Sequence, residues 1–70
     1  MKLDRVKIGI FLMTLRGDRT QKEVARALKI SEPAIRYYET GKRIPNDDLK
    51  VAIANYFDKT VSEIFFAFFK

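Results

Sequence analysis

Apolar residues recur along the chain at the spacing of α-helices. In the first sixteen residues, Ile8, Phe11, Leu12 and Leu15 fall at positions i, i+3, i+4 and i+7, which lie on one face of a helix. The same spacing returns in four later stretches divided by turn residues, and the sequence lacks an alternating strand pattern. The pattern predicts an all-α fold: a single domain over residues 1–70, built as a compact bundle of five short helices.

Residues that cap helices indicate where four of these helices begin. Residues 20–23 and 60–63 both read Thr-x-x-Glu, a capping box in which the hydroxyl accepts the amide three residues on and the glutamate reaches back. Ser31 and Asn46 are N-cap candidates for the third and fourth helices. Pro33 falls in a first turn, where its missing N–H costs little. We therefore expect helices to start at about residues 20, 31, 46 and 60.

The inward-facing positions of these helices define the predicted core. The third helix should end before Gly41, which can take the left-handed conformation at a helix exit. The last helix, over about residues 60–69, is rich in phenylalanine. The inward positions of helices two to five are Val24, Ala27 and Leu28; Ile35 and Tyr38; Leu49, Ile53 and Tyr56; and Val61, Ile64, Phe65 and Phe68.

The composition excludes several classes of function. The 70 residues contain no cysteine and no histidine, which removes disulfides, thiolate zinc sites, cysteine nucleophiles and the commonest general base. The sequence also lacks a glycine-rich phosphate loop, so we expect no enzyme activity, no metal or other cofactor and no small-molecule ligand. No apolar run reaches the roughly 18–20 residues of a membrane span, and the amino terminus lacks a signal-peptide pattern. We expect a cytoplasmic protein that does not bind a membrane.

Positive charge is concentrated in the first two-thirds of the chain. The net charge is +5 and the pI is about 9.8. Residues 1–45 carry eleven Lys and Arg against five Asp and Glu, whereas residues 46–70 carry three against four. This distribution favours a nucleic-acid surface backed by a packing or assembly segment, with a solvated, lysine-rich surface as the alternative.

Residues 20–40 have the layout of a helix-turn-helix. The two short helices are separated by residues 29–31, so they must cross steeply, and the second can lie in a DNA major groove. Here nearly the whole sequence resembles the Cro/repressor-type (xenobiotic-response-element-like) helix-turn-helix regulators, which implies a lambda-repressor-like DNA-binding domain. The marks of the resemblance, in order, are Ile8-Gly9, Leu12, Leu15-Arg16, residues 20–25 (TQKEVA), residues 28–31 (LKIS), Ile35, Glu39, Gly41-Lys42-Arg43, Pro45 and residues 61–65 (VSEIF).

The chain departs from that family pattern in two places. The turn at residues 17–19 is shorter than the common one, and Asp58-Lys59 stands where a glycine is usual. Residues 34–39 also resemble the recognition helix of mercury-resistance-type regulators, but those proteins begin with the helix-turn-helix and continue into a β-wing. Here a full helix precedes the motif and helices follow it, which favours the Cro/repressor type.

The outward face of the third helix carries the candidate base contacts. With Ile35 turned inward, the opposite face presents Glu32, Pro33, Arg36 and Tyr37. Arg36 could donate to guanine N7 and O6 or to a phosphate, while Pro33 and Tyr37 could pack on a thymine methyl. Glu32 would be repelled by phosphates unless it accepts from a cytosine amino group or is masked by Arg36, four residues on. An ordinary polar helix surface is the alternative.

Candidate phosphate contacts flank that helix. Gln21 opens the second helix, where free amides and the helix dipole favour an anion, and the resemblance places a phosphate contact at this glutamine. The resemblance also lays Lys42 and Arg43 along the DNA backbone, although a solvated loop would explain them too. Lys22 and Thr40 are further candidates.

Glu39 has a structural role by the same resemblance. The family pairs the acid at the end of the third helix with an arginine that ends the first helix, which is Arg16 here. We expect this pair to be partly buried, so that its loss would weaken DNA binding only indirectly.

Two phenylalanines of the last helix fall outside its core stripe. Phe66 and Phe69 would form an exposed apolar patch that monomers normally avoid. We favour a homodimer interface, since a two-fold symmetric protein reads two DNA half-sites about one helical turn apart. Additional core packing, and a surface for another protein or a membrane, are the alternatives.

Together these features predict a sequence-specific transcriptional regulator that binds double-stranded DNA. We expect a repressor that binds an inverted-repeat operator as a homodimer. The alternative is a DNA-binding antitoxin-like or protein-interaction module that uses the Phe-rich last helix to hold a partner.

Overall fold

Five α-helices make up the fold in the computed structural model, which describes residues 2–69. In chain order they are α1 (Arg5–Arg16), α2 (Gln21–Leu28), α3 (Glu32–Glu39), α4 (Asp47–Tyr56) and α5 (Val61–Phe65). Within residues 2–69, strand-like pairing is limited to a single bridge between Leu3 and Phe69. The prediction of an all-α fold with five short helices is confirmed.

A side-chain cap opens each helix. The side chains of Asp4, Thr20, Ser31, Asn46 and Thr60 each accept the amide three residues on, at 2.9–3.2 Å. The capping box over residues 60–63 is complete, because its glutamate also accepts the N–H of Thr60 at 2.9 Å. The four predicted helix starts are confirmed.

The core consists of two clusters of buried side chains that share neighbouring residues. Helices α1, α4 and α5 contribute the larger cluster of buried side chains, which consists of Ile8, Leu12, Ile53, Ala54, Ile64 and Phe65. Helices α2 and α3 contribute the smaller one, which consists of Val24, Ala25 and Ile35. Leu28 and Phe57 pack against both clusters, so the helix-turn-helix is anchored to the rest of the bundle.

One predicted core position on α2 is wrong. Ala27 is exposed, and its neighbour Ala25 is buried instead. Ala25 belongs to the same cluster as Ile35 of α3. Because α3 packs on the side of α2 that carries Ala25, the buried face of α2 is rotated relative to the one that spacing alone indicates.

The last helix is shorter than the predicted residues 60–69. Helix α5 ends at Phe65, and residues 66–69 run along the amino-terminal segment instead. The carbonyl of Phe68 accepts the N–H of Asp4 at 3.0 Å, and the Phe68 ring packs on Phe11 with the centroids 5.6 Å apart. These tertiary contacts replace the last helical turn, which periodicity in the sequence cannot show.

Two non-glycine residues take the left-handed conformation in the links between helices. Lys29, in the turn between α2 and α3, has φ +58°, and Asp58, between α4 and α5, has φ +57°. Asp58, one of the two residues that stand where the family pattern usually has a glycine, therefore takes a conformation that glycine adopts without strain.

Candidate nucleic-acid interface

Helix α3 is fixed on one side by α1 and α2. Its Ile35 is 5% exposed within the smaller cluster. On α1, Gly9 lies against the last turn of α3 so closely that an added Cβ would overlap the carbonyl oxygen of Glu39. A helix held this closely presents its remaining side chains in a defined direction.

The other side of α3 faces solvent. Glu32, Pro33 and Arg36 are exposed, and Tyr37 is half-buried. Helical spacing places residues 32, 33, 36 and 37 on one face, so the structure brings the four predicted base-contacting residues together.

The guanidinium of Arg36 is not engaged with a carboxylate. The two ion pairs among residues 2–69 join Arg16 to Glu39 and Lys50 to Asp47. Glu32 is therefore not masked by Arg36 in this structure, and both side chains are left to meet a ligand.

The carboxylate of Glu39 joins three helices. Its oxygens accept from Nε of Arg16 at 2.6 Å and from Nη2 of Arg16 at 3.1 Å, which is the bidentate geometry of a strong pair. Nε2 of Gln21 donates to the same carboxylate at 3.0 Å. The Glu39 side chain is 4% exposed. The hydrogen bond to Glu39 raises the pKa of Arg16, and the charge attraction adds to this while burial opposes it.

Gln21 stands at the amino end of α2 with its amide oriented by Glu39. One N–H of its Nε2 is used by the carboxylate, which leaves the second N–H for another acceptor. Lys22, the next residue, is exposed. The resemblance places a phosphate at this helix end; the bond from Gln21 to Glu39 was not foreseen.

A short basic loop follows α3, and we use this name for residues 41–45. Its Lys42 and Arg43 are exposed. Both cations lie over the ring of Tyr37: Nζ of Lys42 is 5.7 Å and Cζ of Arg43 is 5.3 Å from the ring centroid. The loop therefore lies beside the outward face of α3, and its cations extend that face.

Thr40 is exposed at the end of α3, but its hydroxyl is engaged. It donates to the carbonyl of Arg36 at 2.8 Å. Since a phosphate oxygen only accepts, contact with a phosphate requires the hydroxyl to leave that bond.

Arg19 is a further basic residue beside α2 that was not among the predicted contacts. This exposed residue directly precedes the cap of α2, and its guanidinium lies 5.3 Å from the ring centroid of Tyr56 and 5.6 Å from that of Phe57. Arg19 adds a cation that precedes Gln21 and Lys22 in the chain and packs on two aromatic rings at the end of α4. The available signal was a basic residue immediately before a helix cap.

The two phenylalanines assigned to a dimer interface are on the surface. Phe66 is 45% and Phe69 is 42% exposed. A second exposed apolar stripe, which the sequence analysis missed, lies on α1 and consists of Val6, Ile10 and Met13.

Two further features are absent from the part of the chain that the structure describes. Residues 2–69 contain no group of three metal-ligating side chains. None of the helices within residues 2–69 is both long enough and apolar enough to cross a membrane.

Comparison with known proteins agrees with this geometry. The family model for helix-turn-helix domains matches residues 12–64, which include α2, α3 and the basic loop. No curated protein matches the sequence. Among solved structures, the fold is similar to the crystal structure of the clp gene regulator ClgR from C. glutamicum, with a TM-score of 0.75 and 22% identity over 86% of this chain and 80% of that chain.

The match spans most of the chain and includes α3 with its outward face. The Arg16–Glu39 pair and the capped α2–turn–α3 unit occupy the places that the resemblance indicates. The chain therefore belongs to the Cro/C1-type helix-turn-helix family of DNA-binding transcriptional regulators, and it is not an enzyme.

Proposed function

We propose that this protein is a transcriptional repressor that binds an inverted-repeat operator as a homodimer. One α3 helix of each copy would enter a major groove. The observation that carries the proposal is the outward face of α3, with an exposed, unpaired Arg36 on a helix that is fixed from behind. Repression needs only occupation of the operator, whereas activation needs a further surface for the transcription machinery.

Base recognition is assigned to residues 32, 33 and 36 of α3. Arg36 can donate to O6 and N7 of guanine, and Pro33 can pack on a thymine methyl. Glu32, which is free of Arg36 here, can accept from a cytosine amino group. Loss of one good bidentate contact costs about 1–3 kcal/mol of discrimination, which is enough to detect at the base concerned.

Phosphate contacts are assigned to donors on both sides of α3. Gln21 and Lys22 lie at the amino end of α2, where the helix dipole favours an anion. Lys42 and Arg43 lie in the basic loop, and Thr40 can join them if its hydroxyl turns outward. If five or six phosphates are neutralised, the log–log slope of affinity against salt is about −5. We propose that the protein binds its operator in the cytoplasm.

Dimerisation is assigned to Phe66 and Phe69. Two aromatic side chains that each expose nearly half their surface are unfavourable in water, and burial against a second copy would remove that cost. A two-fold dimer presents two α3 helices to two half-sites, which makes the operator an inverted repeat.

The direct test is selection of bound sequences from a random duplex pool at two salt concentrations. The wild type should enrich an inverted repeat, called the selected operator below, and Arg36→Ala should relax the preference at one position of each half-site. Lys59→Ala, an exposed cation in the link between α4 and α5, is the matched control and should leave the preference unchanged. Failure to enrich any sequence would contradict the proposal and favour a protein-interaction role.

A further inference from the structure

We propose that Tyr37 is a positioning residue that holds Lys42 and Arg43 ready for phosphate contact. This role rests on the proposed function. From its position on the outward face of α3 we expected Tyr37 to contact a base, and the positioning role replaces that expectation.

Both cations of the basic loop lie over the Tyr37 ring. Their distances from the ring centroid, 5.7 Å for Lys42 Nζ and 5.3 Å for Arg43 Cζ, are within the about 6 Å over which an aromatic ring attracts a cation. Both side chains are exposed, and long exposed side chains ordinarily sample many rotamers. The half-buried ring therefore provides a fixed surface that restricts them.

The main chain of Tyr37 also fixes the path of the loop. Its carbonyl accepts the N–H of Lys42 at 2.9 Å and the N–H of Arg43 at 3.3 Å. Gly41, with φ +79°, turns the chain back over the last turn of α3, and a Cβ there would lie 3.2 Å from the carbonyl of Arg5 on α1. One residue thus orients both the backbone and the two charged side chains of the loop.

Stacking on the ring leaves the donors of both cations available. A guanidinium over a ring face keeps its N–H groups at the edge of its plane, and an ammonium carries three donors. A side chain that is already restricted loses less freedom when it meets a phosphate, and this difference is about 2- to 13-fold in affinity per side chain. The same stacking covers part of the ring, which leaves less of it to pack on a thymine methyl.

The test compares wild type, Tyr37→Phe and Tyr37→Leu on the selected operator and on an unrelated duplex. Phenylalanine keeps the ring, whereas leucine keeps apolar volume without it. Tyr37→Phe should bind like wild type, and Tyr37→Leu, which releases both side chains, should bind both duplexes about 5- to 160-fold more weakly, with their affinity ratio unchanged. In a Lys42→Met, Arg43→Met background, Tyr37→Leu should cause no further loss, since no cation is left to position.

A measurement without DNA tests the same contact. In the free protein, side-chain protons of Lys42 and Arg43 should show ring-current shifts in wild type and Tyr37→Phe, and lose them in Tyr37→Leu. Absence of these shifts in wild type would overturn the role of Tyr37 even if the leucine variant folded poorly.

The possible failures are distinguishable. If Tyr37→Leu alters the ratio of the two affinities, or still weakens binding in the double-methionine background, Tyr37 contacts bases and the positioning role is wrong. Equal or tighter binding by Tyr37→Leu would overturn it as well. A wild type that binds no duplex would overturn both the proposed function and the positioning role of Tyr37. If the wild type binds the selected operator but Tyr37→Leu gives one of the contrary results above, only the positioning role is overturned.

Discussion

At the scale of single residues, Glu39 connects the three helices that carry or support the interface. It is the last residue of α3, and its carboxylate accepts hydrogen bonds from Arg16 at the end of α1 and from Gln21 at the start of α2. Because its side chain is 4% exposed, its oxygens are hydrogen-bonded by these two side chains and not by bulk water. The orientation of α3 and the amide of Gln21 therefore depend on one buried carboxylate.

Removing that carboxylate should destabilise the fold. Glu39→Ala leaves Arg16 without its partner, so we expect the free energy of unfolding in urea to fall by about 2–3 kcal/mol. Replacing both partners, as in Arg16→Met with Glu39→Leu, should restore most of that loss because neither charge remains. A loss below about 0.5 kcal/mol in Glu39→Ala would show that the pair behaves as a solvated surface pair.

The capping glutamate of α5 should make stability depend on acidic pH. Hydrogen bonds from the main chain and hydroxyl of Thr60 lower the pKa of Glu63 in the folded protein. A lowered folded pKa stabilises the fold above the unfolded pKa, and the stabilisation is lost as pH falls through the folded value. The melting temperature of wild type should exceed that of Glu63→Gln near neutrality, and the gap should close between about pH 5 and about pH 2. If the difference in melting temperature between wild type and Glu63→Gln did not change with pH, the charge of Glu63 would have no role in stability.

At the scale of elements, local signals predicted the helix starts and the end of α3, but not the end of α5. The caps at Thr20, Ser31, Asn46 and Thr60 are where the sequence placed them, because a cap is a contact between residues three apart. The end of α5 was wrong because residues 66–69 pair with a segment more than sixty residues away. The exposed face of α3 followed from periodicity, whereas the contacts of Gln21 and Tyr37 depend on how elements meet and could not be predicted.

The close packing of Gly9 on α1 against the end of α3 provides a test at this scale. In an isolated helix, Gly9→Ala would favour the helix by about 1 kcal/mol. Here the added methyl would overlap the Glu39 carbonyl, and overpacking of this kind costs roughly 1–3 kcal/mol or more. We expect Gly9→Ala to lower the midpoint of urea unfolding, while Met13→Ala, an exposed change on the same helix, should shift stability by no more than about 0.5 kcal/mol. An increase in the midpoint for Gly9→Ala would contradict the close packing.

At the scale of the whole molecule, the excess of positive charge and the two exposed phenylalanines lie in different parts of the chain. Residues 1–45 carry the excess of positive charge and include the outward face of α3 and the basic loop. Residues 46–70 are close to neutral and include the exposed rings of Phe66 and Phe69. This division suits a protein that contacts DNA with one part and a second copy with another.

Charged replacements at the two phenylalanines test the second contact. Phe66→Glu with Phe69→Glu should give a monomer by sedimentation equilibrium, because two carboxylates disfavour an apolar interface. Helix content should stay close to wild type, since both rings are already substantially exposed in a single copy. A wild type that is monomeric at every concentration would contradict the dimer, and loss of helicity in the variant would assign the rings to the core.

The outward face of α3 is the central claim, and amide chemical-shift mapping with the selected operator tests it most directly. Titration of labelled wild-type protein should perturb amides of residues 21–22, 32, 34–37 and 40–43 most strongly, and Arg36→Ala should weaken the perturbation within α3. If the largest changes fell instead on α4 and α5, with residues 32–37 unaffected, the assignment of α3 to the major groove would be wrong.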